Sequence, residues 1–306
     1  RKDFYREIRK SPGRFLSILF IVALGVAFFS GIRSSEPDMR VTGDAYYDET
    51  NLMDIQVMSS YGITKEDIQA LKEVEGVLDV EGAYSGDFLS TLDDEQTVLH
   101  VMSLPKKMNE VAVSEGRMPE AADECLVDNA LGYEIGDKIT LESGTEDPVG
   151  DTLAADTYTV VGKGSTPRYI SFQRGSTTIG TGSLDGFLVV PESAFVTDVY
   201  TEACIQVEGA KKLMAYSEDY DQLIEEVIGR VEDITGERGE IRRQELIDEA
   251  DEELDDAREE LEKGRQEAQD ELDAAWTAIE DGEKQLTDAK AQIQEGKDQI
   301  ASAKET

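Results

Sequence analysis

The segment Phe15 to Ile32, FLSILFIVALGVAFFSGI, runs for eighteen residues without a charge. As a helix at about 1.5 Å per residue it would extend about 27 Å, close to the hydrocarbon thickness of a bilayer. The side chains expected to face lipid are Phe15, Leu16, Ile18, Leu19, Phe20, Ile21, Val22, Leu24, Val26, Phe28, Phe29 and Ile32. A basic flank precedes them, with Arg6, Arg9, Lys10 and Arg14 setting topology against only Asp3 and Glu7. Such a flank stays in the cytosol, so everything after the span is expected outside the membrane. A cleaved signal peptide fits poorly, because Phe28-Phe29-Ser30-Gly31-Ile32-Arg33 lacks a small-x-small site. A buried core helix would be more amphipathic. Ahead of the span, Phe4, Tyr5 and Ile8 would share one face of a helix suited to the headgroup layer.

The chain has 306 residues and a net charge of −37, and its acidic excess lies wholly beyond the basic start. That surface repels nucleic acid, so no nucleic-acid partner is expected. Cys125 and Cys204 are the only cysteines and His100 the only histidine. Two separate buried thiols are expected rather than a disulfide framework. One histidine supports no nucleophile-plus-base arrangement, so the chain is expected not to be an enzyme and to hold no cofactor. Gly162-Lys163-Gly164-Ser165-Thr166 lacks the order of a phosphate loop. The acidic clusters Asp93-Asp94-Glu95 and Glu142, Glu146, Asp147, Asp151 match no calcium-loop pattern, and Met102, Met108 and Met118 are expected to pack. No catalytic, cofactor or metal residues are assigned.

Five segments follow one another. Residues 1–14 form the basic cytosolic or interfacial segment and 15–35 the transmembrane helix, which is expected to continue outward past Pro37. Residues 36–236 read as an extracytoplasmic α+β domain. Asp54 to Met58 alternates as a strand, Thr64 opens a capping box with Asp67, and Gly76 stops the helix. Strand character resumes at Val77 and runs on to Leu89. A β-rich insertion at about 97–200 is expected, with strands at Val98–Ser103, Glu124–Val127, Lys138–Glu142, Tyr158–Val161 and Phe187–Val190. Gly164 to Ser183 reads as a Gly/Ser/Thr-rich mobile flap, and a helix from Ser217 to Ile234 follows a strand at Cys204–Val207. A βαβ start and a strand-helix end suggest a ferredoxin-like layer carrying the β subdomain.

From 237 to 306 the pattern changes to a coiled coil. Large apolar residues recur at Ile247, Leu254, Leu261, Leu272, Ile279, Leu286, Ile293 and Ile300, seven apart except for one step of eleven. Small residues alternate with them, at Ala250, Ala257, Gly264, Ala268, Ala275, Gly282, Ala289, Gly296 and Ala303. Close helix approach follows, which suits an antiparallel pair, with a coiled-coil homodimer as the alternative. The pattern stops at Ala303-Lys304-Glu305-Thr306 without a cap, so a returning arm and further segments are expected beyond a truncated coil.

In their order, several segments resemble one family. SPGRFLSILFIVALGVAFFSGI resembles the first transmembrane helix of bacterial ABC transporter permeases of the MacB/FtsX type. NLMDIQVMSSYGITKEDIQALKEVEGVLDVEGAYSGDF resembles the start of that family's extracytoplasmic core domain, and VSEGRMPEAADECLVDNAL, YEIGDKITL and YTVVGKGSTPRYISF resemble its later run. The acidic coiled coil is similar to an insertion in some such permeases of Gram-positive bacteria. The resemblance implies a permease subunit in the bacterial plasma membrane, usually dimeric, with a cytosolic ABC ATPase supplied in trans. Membrane lipid and an extracytoplasmic protein or peptide client are its other implied partners. A single-pass coiled-coil surface protein, acting as a structural or interaction module, is the alternative.

Overall fold

The computed structural model describes residues 10–92 and 95–304. The expectations for Arg6 and Arg9, for Phe4, Tyr5 and Ile8, and for Asp93 and Asp94 lie outside them. The chain divides into two compact units, the first ending at Gly239 and the second beginning at Glu240.

The first unit opens with helix α1, Pro12–Glu49. Pro12 starts it where a missing N–H leaves nothing unsatisfied and the fixed φ favours the first turn. Pro37 lies inside the helix without ending it, so the apolar run and its polar continuation form one element. At the far end the Thr50 N–H and hydroxyl both donate to the Tyr46 carbonyl, at 3.0 and 2.7 Å.

Two sheets follow. The smaller combines β1 (Ile55–Ile63), β2 (Val77–Ala83) and β10 (Tyr200–Val207) in the order β1-β10-β2, with β10 antiparallel to both neighbours. Helix α2 (Lys65–Lys72) connects β1 to β2. Its capping box is complete: the Asp67 N–H donates to Thr64 Oγ1 at 3.2 Å and the Thr64 N–H to Asp67 Oδ2 at 2.8 Å. After it, Gly76 takes φ +92, where a Cβ would also meet Val227 at 2.9 Å. One sheet face packs Ile55, Val80, Ala203 and Ile205 against Leu71 and Val74 and against Ile224, Val227 and Val231 of the last helix, α3 (Glu218–Lys304). Among the described residues this sheet has three strands, where a ferredoxin-like layer has four. It is a βαβ unit whose two parallel strands are split by β10.

The larger sheet contains β3 (Ser85–Leu92), β4 (Glu95–Ser103), β5 (Ala112–Gly116), β6 (Glu124–Asp128), β7 (Lys138–Thr140), β8 (Thr157–Ser165) and β9 (Gly186–Val190). Its order is β3-β4-β9-β6-β8-β5, with β7 also on β8. Leu89 in β3 and Glu142 just after β7 exchange N–H···O bonds of 2.9 and 2.8 Å, so the sheet curls back on itself. Inside lie Phe88, Leu99, Val101, Cys125, Val127, Ile139, Tyr158, Val160, Leu188 and Val190. Along β8, buried and half-buried residues alternate as a strand with one face inward requires.

Three features differ from the sequence pattern. The expected strand from Val77 to Leu89 breaks at Tyr84, so the larger sheet begins at Ser85, upstream of 97. There the Tyr84 N–H donates to Ser103 Oγ at 3.0 Å and the Ser85 N–H to Thr201 Oγ1 at 2.6 Å. Strand β5 had no apolar alternation to announce it, and all five of its residues are exposed. The helix expected to end near Ile234 continues through Gly236 and Gly239, making α3 a single helix of 87 residues.

Candidate functional site

Helix α1 is long and apolar enough to cross a membrane. Its apolar residues, Phe15, Leu16, Ile18, Leu19, Phe20, Ile21, Val22, Leu24, Val26, Phe28, Phe29 and Ile32, are all exposed, from 37% at Phe15 to 73% at Leu24. A soluble fold buries such a surface, which in water would be strongly unfavourable. Lys10 and Arg14 are exposed at its start.

Beyond Pro37 the same helix becomes polar and is tied to the chain between β10 and α3. Arg40 donates to the Tyr216 carbonyl at 3.2 Å and pairs with Glu36 at 3.3 Å. Asp44 Oδ1 accepts from the Ala215 N–H at 2.6 Å, and the Tyr47 and Tyr216 hydroxyls lie 3.1 Å apart. Lys211 Nζ donates to the Asp48 carbonyl at 3.0 Å and to Asn51 Oδ1 at 2.5 Å. Asn109 and Glu110 add backbone bonds of 2.8 Å to the carbonyls of Asn51 and Thr50. Tyr216 holds φ +62, a left-handed conformation that is uncommon outside glycine and is held here by these contacts.

Burial and the Tyr216 hydroxyl push the Tyr47 phenol up to about 12, so it remains a neutral hydrogen-bonding group. Below it, Asp54 accepts from the Val207 N–H and the Tyr220 hydroxyl, both at 2.8 Å. Burial raises its pKa despite those bonds. This joint fixes the end of α1 to the strand and helix that close the small sheet.

A second feature is a cleft of about 570 Å³, lined by the outer face of β1, by β3 and β4, and by the 168–184 segment. That segment is the stretch expected to be a mobile flap, but two buried ion pairs tie it to the domain. Arg168 forms a bidentate pair with Glu202 at 2.7 and 2.9 Å, their side chains 10% and 0% exposed. Gln56 also donates to Glu202. Arg174 pairs with Asp128 at 2.7 and 3.0 Å and donates to the carbonyls of Tyr169 and Ser171. Burial alone would raise the Glu202 pKa, but the hydrogen bonds and charge of Arg168 outweigh it and hold the carboxyl below its ordinary value. His100 Nδ1 lies 2.6 Å from Asp87 Oδ1, and Tyr169 stacks on Phe187 with centroids 5.6 Å apart.

Arg168 and Arg174 are the only charged residues between Gly164 and Ser183. Two isolated cations in a neutral stretch are a legible hint of buried pairing, but their partners are far away in sequence. The joint residues Asp44, Tyr47, Lys211 and Tyr216 carry no comparable signal.

Cys125 and Cys204 are both free and buried, and burial pushes each thiol up to about 12. The Gly162–Thr166 run lies on and just after β8, not in a loop before a helix. A Cβ on Gly162 would meet the Arg117 carbonyl at 2.2 Å, so close strand approach accounts for that glycine. Met102 and Met108 are buried and Met118 packs against the outer cluster. All eight large residues of the heptad stripe, Ile247, Leu254, Leu261, Leu272, Ile279, Leu286, Ile293 and Ile300, are exposed, from 40% at Ile247 to 72% at Leu261.

Solved structures similar to this chain include two transporter domains. One is the extracellular domain of the noncanonic ABC-type transporter YknZ from Gram-positive bacteria, 15% identical over 56% of this chain and 87% of that one, with a TM-score of 0.32. The other is the periplasmic region of MacB from Actinobacillus actinomycetemcomitans, 10% identical over 61% of this chain and 76% of that one, with a TM-score of 0.31. Likenesses this distant decide nothing about activity. No family model matches the chain, and no curated protein does.

Proposed function

We propose that the chain is part of a permease subunit of a MacB/FtsX-type ABC transporter, anchored in the bacterial plasma membrane with its N-terminus in the cytosol. The observation that carries this reading is the exposed apolar helix running unbroken into a hydrogen-bonded joint with a two-sheet domain. A helix held in lipid and clamped at one end passes its displacement to whatever the clamp holds. Here the clamp holds the connection between β10 and α3. The ordered run of segments resembling that family supplies the rest.

On this reading a separate cytosolic ATPase drives the helix, a second permease copy completes the assembly, and the outer domain works on an extracytoplasmic protein or peptide client, by mechanotransmission or export. The exposed heptad stripe also suits a second reading, a single-pass tether whose coiled coil binds a partner without any ATPase.

Protease added to intact cells tests the orientation, and purification from solubilised membranes tests the partner. The expected result is digestion beyond Ser35, retention of an N-terminal tag inside the cell, and recovery of a nucleotide-hydrolysing protein with the tagged chain. Full protection of the region beyond Ser35 would overturn the orientation. Digestion without any associated ATPase would favour the tether.

A further inference from the structure

We infer that the cleft at the edge of β3 holds a short extended peptide, which adds to that edge as a strand and sets a basic side chain beside Asp87. The permease reading enters only as the source of the peptide, its client; every group involved lies in the first compact unit.

β3 comes last in the order of its sheet, so one side of it is an edge. Residues two apart on a strand turn their N–H and C=O groups to the same side. The Leu89 N–H and C=O point away from β4, to Glu142, and the Ser85 N–H points the same way, to Thr201 Oγ1. Asp87 lies between them on the wall of the cleft, and its amide and carbonyl have no partner among the described residues. One position of the edge is therefore vacant between two that are partnered, with a donor and an acceptor spaced for a peptide backbone. A strand that exchanges both bonds with Asp87 gains affinity from its main chain and selectivity from the surrounding side chains.

Those side chains specify charge. Residues directly opposite in an antiparallel pair share a face, so the peptide residue facing Asp87 sets its side chain beside that carboxylate. Burial works against ionisation of Asp87, but hydrogen bonds from His100 and Thr177 outweigh it and hold the carboxyl below its ordinary value. An ionised Asp87 accepts, so His100 Nδ1 donates, and in the neutral ring Nε2 is left as an acceptor. His100 lines the cleft, and that nitrogen is buried without a partner among the described residues. The arginines of the cleft do not balance Asp87, because Arg168 and Arg174 are spent on Glu202 and Asp128. A cationic donor complements this site, and the net charge of −37 steers a basic peptide toward it. Met58 and Leu184 supply apolar wall for the neighbouring peptide residues.

Fluorescence anisotropy of fluorescein-labelled Thr-Val-Lys-Val-Thr-amide with the purified full chain in detergent tests the site. Binding is expected, and glutamate in place of the lysine should weaken it by about tenfold. Asp87→Asn should erase that preference. Methylating the lysine backbone nitrogen removes the donor that faces Asp87 and should also cost about tenfold, whereas methylating the next nitrogen, which points away from the edge, should cost little. Met58→Trp, at a residue 69% exposed on the cleft wall, should block binding and leave the unfolding transition in place. No change in anisotropy up to about 1 mM peptide would overturn the inference. Equal loss from the two methylations would overturn strand addition, and binding indifferent to Met58→Trp or a lysine preference surviving Asp87→Asn would overturn the cleft. No ATPase takes part in this measurement, so a chain that binds the peptide but recovers no ATPase from membranes would sink the permease reading and leave the site standing.

Discussion

Residues 85–190 and residues 240–304 use their apolar side chains in opposite ways. The curled sheet turns Phe88, Leu99, Val127, Tyr158 and Leu188 inward around one core and closes through the Leu89–Glu142 bridge. The arm turns Leu254, Leu261 and Ile279 outward and covers none of them. A strand pattern is satisfied by neighbours in the same chain segment, whereas a lone helix with a narrow apolar stripe has nothing to fold against. One region buries its apolar side chains within its own segment; the other leaves its stripe exposed.

The largest effect should come from the buried ion pair that holds the flap. Arg168→Met leaves the fully buried Glu202 without its counter-ion and should destabilise the two-sheet domain by about 3–5 kcal/mol in denaturant unfolding. A change below ~1 kcal/mol would mean that solvent reaches the carboxylate and that the flap is not held there.

A middle-sized effect is expected in acid. The Glu202 pKa is depressed in the folded domain relative to its ordinary value of 4.5. A depressed carboxyl contributes stability that is fully present above the unfolded pKa and is lost as pH falls through the folded one. Stability of the natural chain should therefore fall as pH drops below about 4.5, and Glu202→Gln should flatten that part of the profile. Identical slopes for the two proteins between neutral pH and pH ~3 would remove the carboxylate from the account.

The smallest effect separates the two regions most sharply. Gly282 has open space where a Cβ would go, so Gly282→Ala should stabilise an isolated arm by about 1 kcal/mol, read as helicity in dilute solution. If a second helix packs closely there, the same methyl group should weaken association while the β-sheet domain unfolds unchanged. Gain of helicity without loss of association would mean that the arm is solvated along that face.

Much of this was legible because local chemistry declares itself. The charge-free run from Phe15 to Ile32, the Thr64–Asp67 capping box and the seven-residue spacing beyond Ile247 each depend on residues close in sequence. So does the continuation of α1 past Pro37. The contacts that build the joint and the cleft were not legible, beyond the hint of two isolated arginines. Arg168 and Glu202, or Asp44 and Ala215, meet only because β10 inserts between β1 and β2 and returns the chain to the end of α1. β5 lies at a sheet edge with no buried face, so its sequence carries no period of two to read.

By itself the sequence determined a long apolar helix, an acidic α+β domain and an interrupted heptad arm, since spacing and charge along the chain are enough to specify each. Only the tertiary structure decided that the small sheet has three strands, that the larger one starts at Ser85 and closes on itself, and that α1 is clamped to the root of α3. Those outcomes depend on which distant strands share an edge, and pairing between distant strands is chosen by the packing of the whole domain rather than by any local pattern.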